Sequence, residues 1–113
     1  MHKVYELYQA IYLLSAKIPK KDRFGIWLKI ENVCLEIINL TIAAALENKN
    51  NKIPLLNSAR IKIETLKQLF RLTLNLNVIG QKQYLNLEGY LQELSKMASG
   101  WIKYLDNNLP KEA

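Results

Sequence analysis

Apolar residues return along the chain at steps of three and four, in four long runs separated by short polar or breaker-rich stretches. The first run carries Val4, Leu7, Ile11, Leu14 and Ile18, and the second Ile26, Ile30, Val33, Ile37, Leu40 and Ala44. The third carries Leu56, Ala59, Ile63, Leu66, Phe70 and Thr73; the fourth, the most regular, carries Tyr84, Leu87, Leu91, Leu94, Ala98, Trp101 and Leu105. Side chains so spaced share one face of a helix, whereas a half-buried strand alternates every second residue. The step averages about 3.5 residues, the period of helices that cross at shallow angles and wrap left-handedly. The pattern predicts helices over about 2–17, 23–48, 54–77 and 81–107, in one domain spanning 1–113. Short connections favour antiparallel neighbours, so the expected fold is all-α, an up-down-up-down four-helix bundle.

The breakers suggest where each helix starts and stops. Asp22 is placed to cap the second helix by accepting from its free N–H groups, and Pro54 suits a first helical turn because it has no donor to waste. Gly80 permits the reversal between the last two helices, and Pro110 closes the chain. Gly89 and Gly100 fall inside the fourth helix, where glycine costs roughly 1 kcal/mol against alanine, so each is expected to mark a close helix approach.

The second helix is apolar over more than one face. With its core stripe at 0°, Leu28, Leu35, Ile42 and Leu46 fall near the opposite side, and Trp27, Cys34, Ile38 and Ala45 fill the gap, an arc of about 240°. A helix burying one face needs only about 100° or somewhat more. Tyr90, Met97 and Tyr104, seven apart on the fourth helix, form a further rail beside the core. Apolar surface beyond what one bundle can cover points to an interface. Trp27, Leu28, Leu35, Ile42, Leu46, Tyr90, Met97 and Tyr104 are therefore expected where copies meet in a homo-oligomer.

Charge adds a partner class. The 113 residues carry a net charge of +6, unevenly spread: residues 1–29 hold six basic and two acidic side chains, and residues 49–71 six basic and one acidic. Lys17, Lys20, Lys21 and Arg23 surround Asp22 alone. Arg60, Lys67 and Arg71 lie on one face of the third helix, with Lys62 to the side. Such rows neutralise phosphates and release counterions, giving binding that falls steeply with salt. The other reading of the helical stripe is an ordinary solvated ladder in which Glu64 pairs with Arg60 and Lys67. Tyr5, Tyr8 and Tyr12 form a rail beside the core face of the first helix, which packs internally or stacks on exposed bases.

Other functions are disfavoured by what the sequence lacks. One cysteine and a single histidine at position 2 cannot build a metal site or an internal disulfide. There is no phosphate-cradling glycine loop, no nucleophile with a placeable base and no paired carboxylates in a recognisable pocket, so no enzyme, cofactor or metal is expected. Cys34 reads as a buried structural thiol. The longest uncharged stretches reach ten residues, half of a membrane span, and no signal-type segment opens the chain; a cytoplasmic protein without membrane contact is expected.

Three stretches together resemble a known family. Pro19-Lys20-Lys21-Asp22-Arg23-Phe24 is similar to a P-K-x-x-R-F entry to the second helix; Leu69-Phe-Arg-Leu-Thr-Leu-Asn-Leu76 followed by Gln83-Tyr84 is similar to an L-x-R-L-x-x-x-L...Q-Y segment; Met97-Ala-Ser-Gly-Trp101-Ile-Lys103 is similar to a closing M-x-x-G-W-x-K. Their order and spacing resemble the accessory variability determinant (Avd) proteins of bacterial diversity-generating retroelements. Where that family commonly has glycine, this chain has Trp27. The resemblance implies a ring-like homopentamer of four-helix bundles that binds RNA or DNA and the element's reverse transcriptase, without catalysis of its own, in support of mutagenic cDNA synthesis. Lys20, Lys21, Arg23, Arg60, Lys67 and Arg71 are the expected nucleic-acid contacts; Arg23 and Arg71 serve equally well as bridges between helices or subunits, since guanidinium suits buried ion pairs as well as phosphate. Two other readings stay open: a related bundle encoded in an intervening sequence of a 23S ribosomal RNA gene, and a protein-only oligomeric scaffold whose charge serves solubility.

Overall fold

The computed structural model describes residues 2–108, which form a rod about 56 Å long and 20 Å across with no strand among them. Four long helices, α1 (His2–Ser15), α3 (Ile26–Leu46), α4 (Lys49–Asn75) and α5 (Gln81–Asn108), build a four-helix bundle, and a single turn, α2 (Lys20–Arg23), precedes α3. α3 packs on α1 and α4, and α5 on α4 and α1. The periodic apolar positions supply the core, with Val4, Leu7, Ile11, Ile30, Val33, Ile37, Ile63, Leu66, Phe70, Leu87 and Leu91 almost fully buried.

α1 is half the length of α5, so four helices meet only along part of the rod. Beyond the start of α1, a second and smaller cluster of Ala44, Leu56 and Leu105, with Ile53 and Trp101 against it, holds α3, α4 and α5 together. Between the two clusters lies an apolar slot of about 320 Å³ lined by Val4, Ile37, Leu56, Leu94, Met97 and Trp101, among others.

The helix ends differ from the sequence expectation in instructive ways. Asp22 does not cap the second long helix: it lies inside α2, makes no side-chain cap bond, and Gly25 stands at the start of α3 instead. A Cβ on Gly25 would meet the Lys21 carbonyl oxygen at 3.0 Å, so the junction between α2 and α3 closes tightly only around glycine. Pro54 is not in a first turn, because α4 begins at Lys49, five residues earlier than the proline suggested. The extra turn is held by Lys52, whose Nζ donates to the Ala44 and Ala45 carbonyls at 2.7 and 3.3 Å and so satisfies acceptors left open at the end of α3. Pro54 forfeits one hydrogen bond on an exposed flank.

Gly80 does not make the reversal between α4 and α5; Asn77 does, with φ 59°. Asn77 N–H donates to the Leu74 carbonyl and Val78 N–H to the Thr73 carbonyl, the paired bonds of a Schellman ending. Gly80 opens α5 instead, its N–H donating to Gln83 Oε1 at 2.8 Å while its carbonyl accepts from Tyr84. This is the reciprocal half of a capping box. Gly89 and Gly100 mark no close approach within the chain, since a Cβ at either would meet nothing within 4 Å. Pro110 lies outside the described residues.

Trp27 is the largest correction. Expected at an oligomer face, it is fully buried, stacked obliquely on Phe70 with ring centroids 6.3 Å apart, and its Nε1–H donates to the Ile11 carbonyl at 3.2 Å. One side chain thus joins α1, α3 and α4. Trp27→Ala should cost about 3–5 kcal/mol of unfolding free energy, read by denaturant melts. Asn77→Gly should leave stability unchanged or slightly higher, whereas Asn77→Val should lower it by about 1–2 kcal/mol, because a β-branched side chain resists a positive φ.

Candidate nucleic-acid interface

The contact network around Trp27 also sets where charge collects. Trp27 touches the end of α1 through Ile11 and the last turns of α4 through Phe70, and Ile18 and Ile79 from the two adjoining connections are buried in the same cluster. The connection before α3 and the connection before α5 therefore lie at one end of the rod. Lys17, Lys20, Lys21 and Arg23 from the first, Arg71 from the end of α4 and Lys82 from the start of α5 gather there against Asp22. None of these six cations makes an ion pair among the described residues.

Elsewhere on the rod Lys3, Lys62 and Lys67 are paired, while Lys29, Lys49, Lys52, Arg60, Lys96 and Lys103 make no ion pair among the described residues. Lys3 bridges Glu93 at 2.8 Å and Glu6 at 3.2 Å, Lys62 binds Glu36 at 2.7 Å across α3 and α4, and Lys67 binds Glu64 at 3.1 Å. Bonding to Glu93 and Glu6 holds the Lys3 ammonium above its ordinary pKa, and Lys62 holds the Glu36 carboxyl below its own. The stripe on α4 is thus divided. Lys67 is in the ladder with Glu64; Arg60, about 15 Å down the rod from Phe70 by helix rise, lines a polar groove with Asn57, Glu64, Ser95 and Ser99. Arg71 alone of the three stands at the basic end.

Within α2 the geometry is tighter. Phe24 N–H donates to the Lys20 carbonyl at 3.2 Å and Arg23 N–H to the Pro19 carbonyl at 2.8 Å, so Lys20, Lys21, Arg23 and Phe24 project from a single turn. Lys20 and Lys21 are exposed, and Phe24 is 65% exposed. Arg23 is half-buried, lines a shallow cleft with Tyr12, Leu13, Ser15 and Ala16, and its buried Nε finds no partner among the described residues. Phe24 and Lys82 were not among the expected contacts. Lys82 is an isolated charge in its own segment, and the packing of the bundle puts the start of α5 at the same end of the rod.

The expected interface residues fall in two groups. Trp27 is core, as described. Leu28, Leu35, Ile42 and Leu46 form an exposed rail on α3, and Met97 and Tyr104 are exposed on α5, while Tyr90 is half-buried with the Lys3 ammonium 5.7 Å from its ring centre. Glu31 lies within the α3 rail between Leu28 and Leu35, and burial raises its carboxyl pKa. Burial, and then the Glu31 charge, also raise the nearby Tyr8 phenol. Cys34 is inside the core, where burial pushes its thiol up to about 12.

A four-helix bundle with one strongly cationic end and uncovered apolar rails is the class of protein defined here. Its family follows from the sequence match: the model described as bAvd-like covers residues 1–105, and the chain belongs to that family. The family is an accessory, non-catalytic one. No match was found among curated proteins. No helix among the described residues is long and apolar enough to cross a membrane.

Two measurements check this description. Cys34 should resist a thiol reagent in the folded protein and react fully on unfolding, because the thiolate is disfavoured and the sulfur is enclosed. Glu31 binds its proton more tightly folded than unfolded, so its contribution to stability is full at acidic pH and is lost as pH rises through the raised value. Glu31→Gln should therefore raise the melting temperature at pH 7 and leave it unchanged near pH 3.

Proposed function

We propose that this chain is the accessory protein of a diversity-generating retroelement: a bundle of up-down-up-down order that assembles into a ring-like homopentamer, holds RNA or DNA at its basic ends, and docks the element's reverse transcriptase during mutagenic cDNA synthesis. Family membership supplies the accessory role. The contacts of Trp27 with Phe70 and of Glu36 with Lys62 support an antiparallel α3 and α4 within that order, because rising numbers on one helix meet falling numbers on its neighbour.

The observation that carries the nucleic-acid reading is the density of charge on one connection, where Lys17, Lys20, Lys21 and Arg23 stand against Asp22 alone and make no ion pair among the described residues. Exposed lysines and arginines with no internal partner keep their full charge for phosphates, and binding releases the counterions those phosphates held. Arg60 and Lys67 are weaker contacts in this reading, since Glu64 lies against both positions. Assembly rests on the α3 rail: Leu28, Leu35 and Ile42 recur every seven residues and are each about 40% exposed, an apolar strip of the kind that copies cover.

Charge reversal at Lys20 and Lys21 should weaken RNA binding at least tenfold in low salt and flatten the log–log salt slope by roughly 1.5, with the fold intact by circular dichroism. Arg71→Glu should act in the same direction, and Arg60→Glu distinctly less. Absence of RNA binding by the unaltered protein at low salt would leave the protein-only scaffold. Leu35→Glu should convert the assembly to smaller species by light scattering, and a wild-type monomer at micromolar concentration would remove the ring. Co-purification with the neighbouring reverse transcriptase tests the docking step.

A further inference from the structure

The basic end carries aromatic surface as well as charge. Phe24 leaves 65% of its surface in solvent, one residue from Arg23 and one helical turn, about 5.4 Å, from Lys20. Tyr12 is 62% exposed and lines the same shallow cleft as Arg23. Leaving a phenylalanine in water forfeits about 1.5–3 kcal/mol that burial would return. Nothing in the backbone requires a phenylalanine at that position: Phe24 ends the α2 turn with φ −92° and ψ 0°, angles open to other residues, and the close contact at this junction concerns Gly25 and the Lys21 carbonyl.

We infer that the α2 turn is a single-strand site, in which an unpaired base of RNA or DNA stacks on Phe24 while Lys20, Lys21 and Arg23 hold the flanking phosphates, with Tyr12 offering a second stacking face. The inference rests on the nucleic-acid reading above and narrows it. Cations alone serve duplex and single strand alike, because both present phosphates. An exposed ring among them discriminates, since the faces of paired bases are already stacked on one another and only an unpaired base can take a new aromatic neighbour. Gly25 contributes by letting α2 sit close against the start of α3, so the turn carrying Phe24 is fixed to the bundle.

The test uses the whole protein with two fluorescent probes, a twelve-nucleotide single strand of mixed sequence and the blunt duplex of the same sequence, titrated at two salt concentrations. Wild-type protein should bind the single strand more tightly. Phe24→Ala should weaken single-strand binding about tenfold, leave duplex binding and the salt slope unchanged, and leave the oligomeric state unaltered by light scattering. Phe24→Trp should restore binding, and its added fluorescence should be quenched by the single strand. Equal loss on both probes, no loss on either, or a change of oligomeric state with Phe24→Ala would each overturn the stacking assignment, the last giving Phe24 to a contact between copies. Failure of this inference is separable from failure of the broader one: if Lys20→Glu with Lys21→Glu also leaves both probes bound as before, the basic end is not the nucleic-acid surface at all.

Discussion

Trp27 is the constraint on which the arrangement turns. Its indole fills the space between α1, α3 and α4, and its single polar atom is satisfied by the Ile11 carbonyl sixteen residues earlier in the chain. A buried indole without that bond would carry an unmet donor in an apolar core, so the bond makes so large a side chain tolerable there. Its consequence is to tie the end of α1 to the start of α3. The intervening residues, 16–25, must then make their turn in a small space, with Ile18 buried beneath them and their lysines left outside. The cationic end is a by-product of where the core closes.

Electrostatics along the rod divides along similar lines. Three lysines midway are met by partners on the same or a neighbouring helix, as with Lys62 and Glu36 or Lys3 and Glu93, and such exposed pairs contribute little to stability individually. What they do is cancel field. The connection before α3, with four cations against one carboxylate, is by contrast a dense region of positive charge. The uncovered leucines of α3 and the aromatic and methionine positions of α5 occupy the flanks, so the exposed apolar surface is largely separate from the cationic connection.

The helices and the core were legible in the order of residues alone. Heptad-like spacing fixes which side of each helix is apolar, and residues such as Leu7, Val33, Leu66 and Leu91 had to be interior whatever the topology, because no other burial satisfies a repeat of three and four. The family was legible too, in three short motifs whose order mattered more than their individual residues. Helix ends were read less well. Asp22, Pro54 and Gly80 each have a preferred role in a turn, but the roles went to Gly25, Lys52 and Asn77, since capping depends on which backbone groups the packed helices leave open.

Packing of the four helices, by contrast, chose between equivalent apolar and cationic positions. Trp27 and Leu28 are neighbours in the same apolar arc, yet one is core and the other surface, because the arc is wider than the groove that α1 and α4 offer and the fit of side-chain volume chooses which part of it goes inside. Likewise Lys62 finds its carboxylate, Glu36, on the neighbouring helix α3, a partner that its own segment does not indicate. Pairing is a matter of a few ångströms in space, and distances of that kind between different helices are not written in any one segment of the chain.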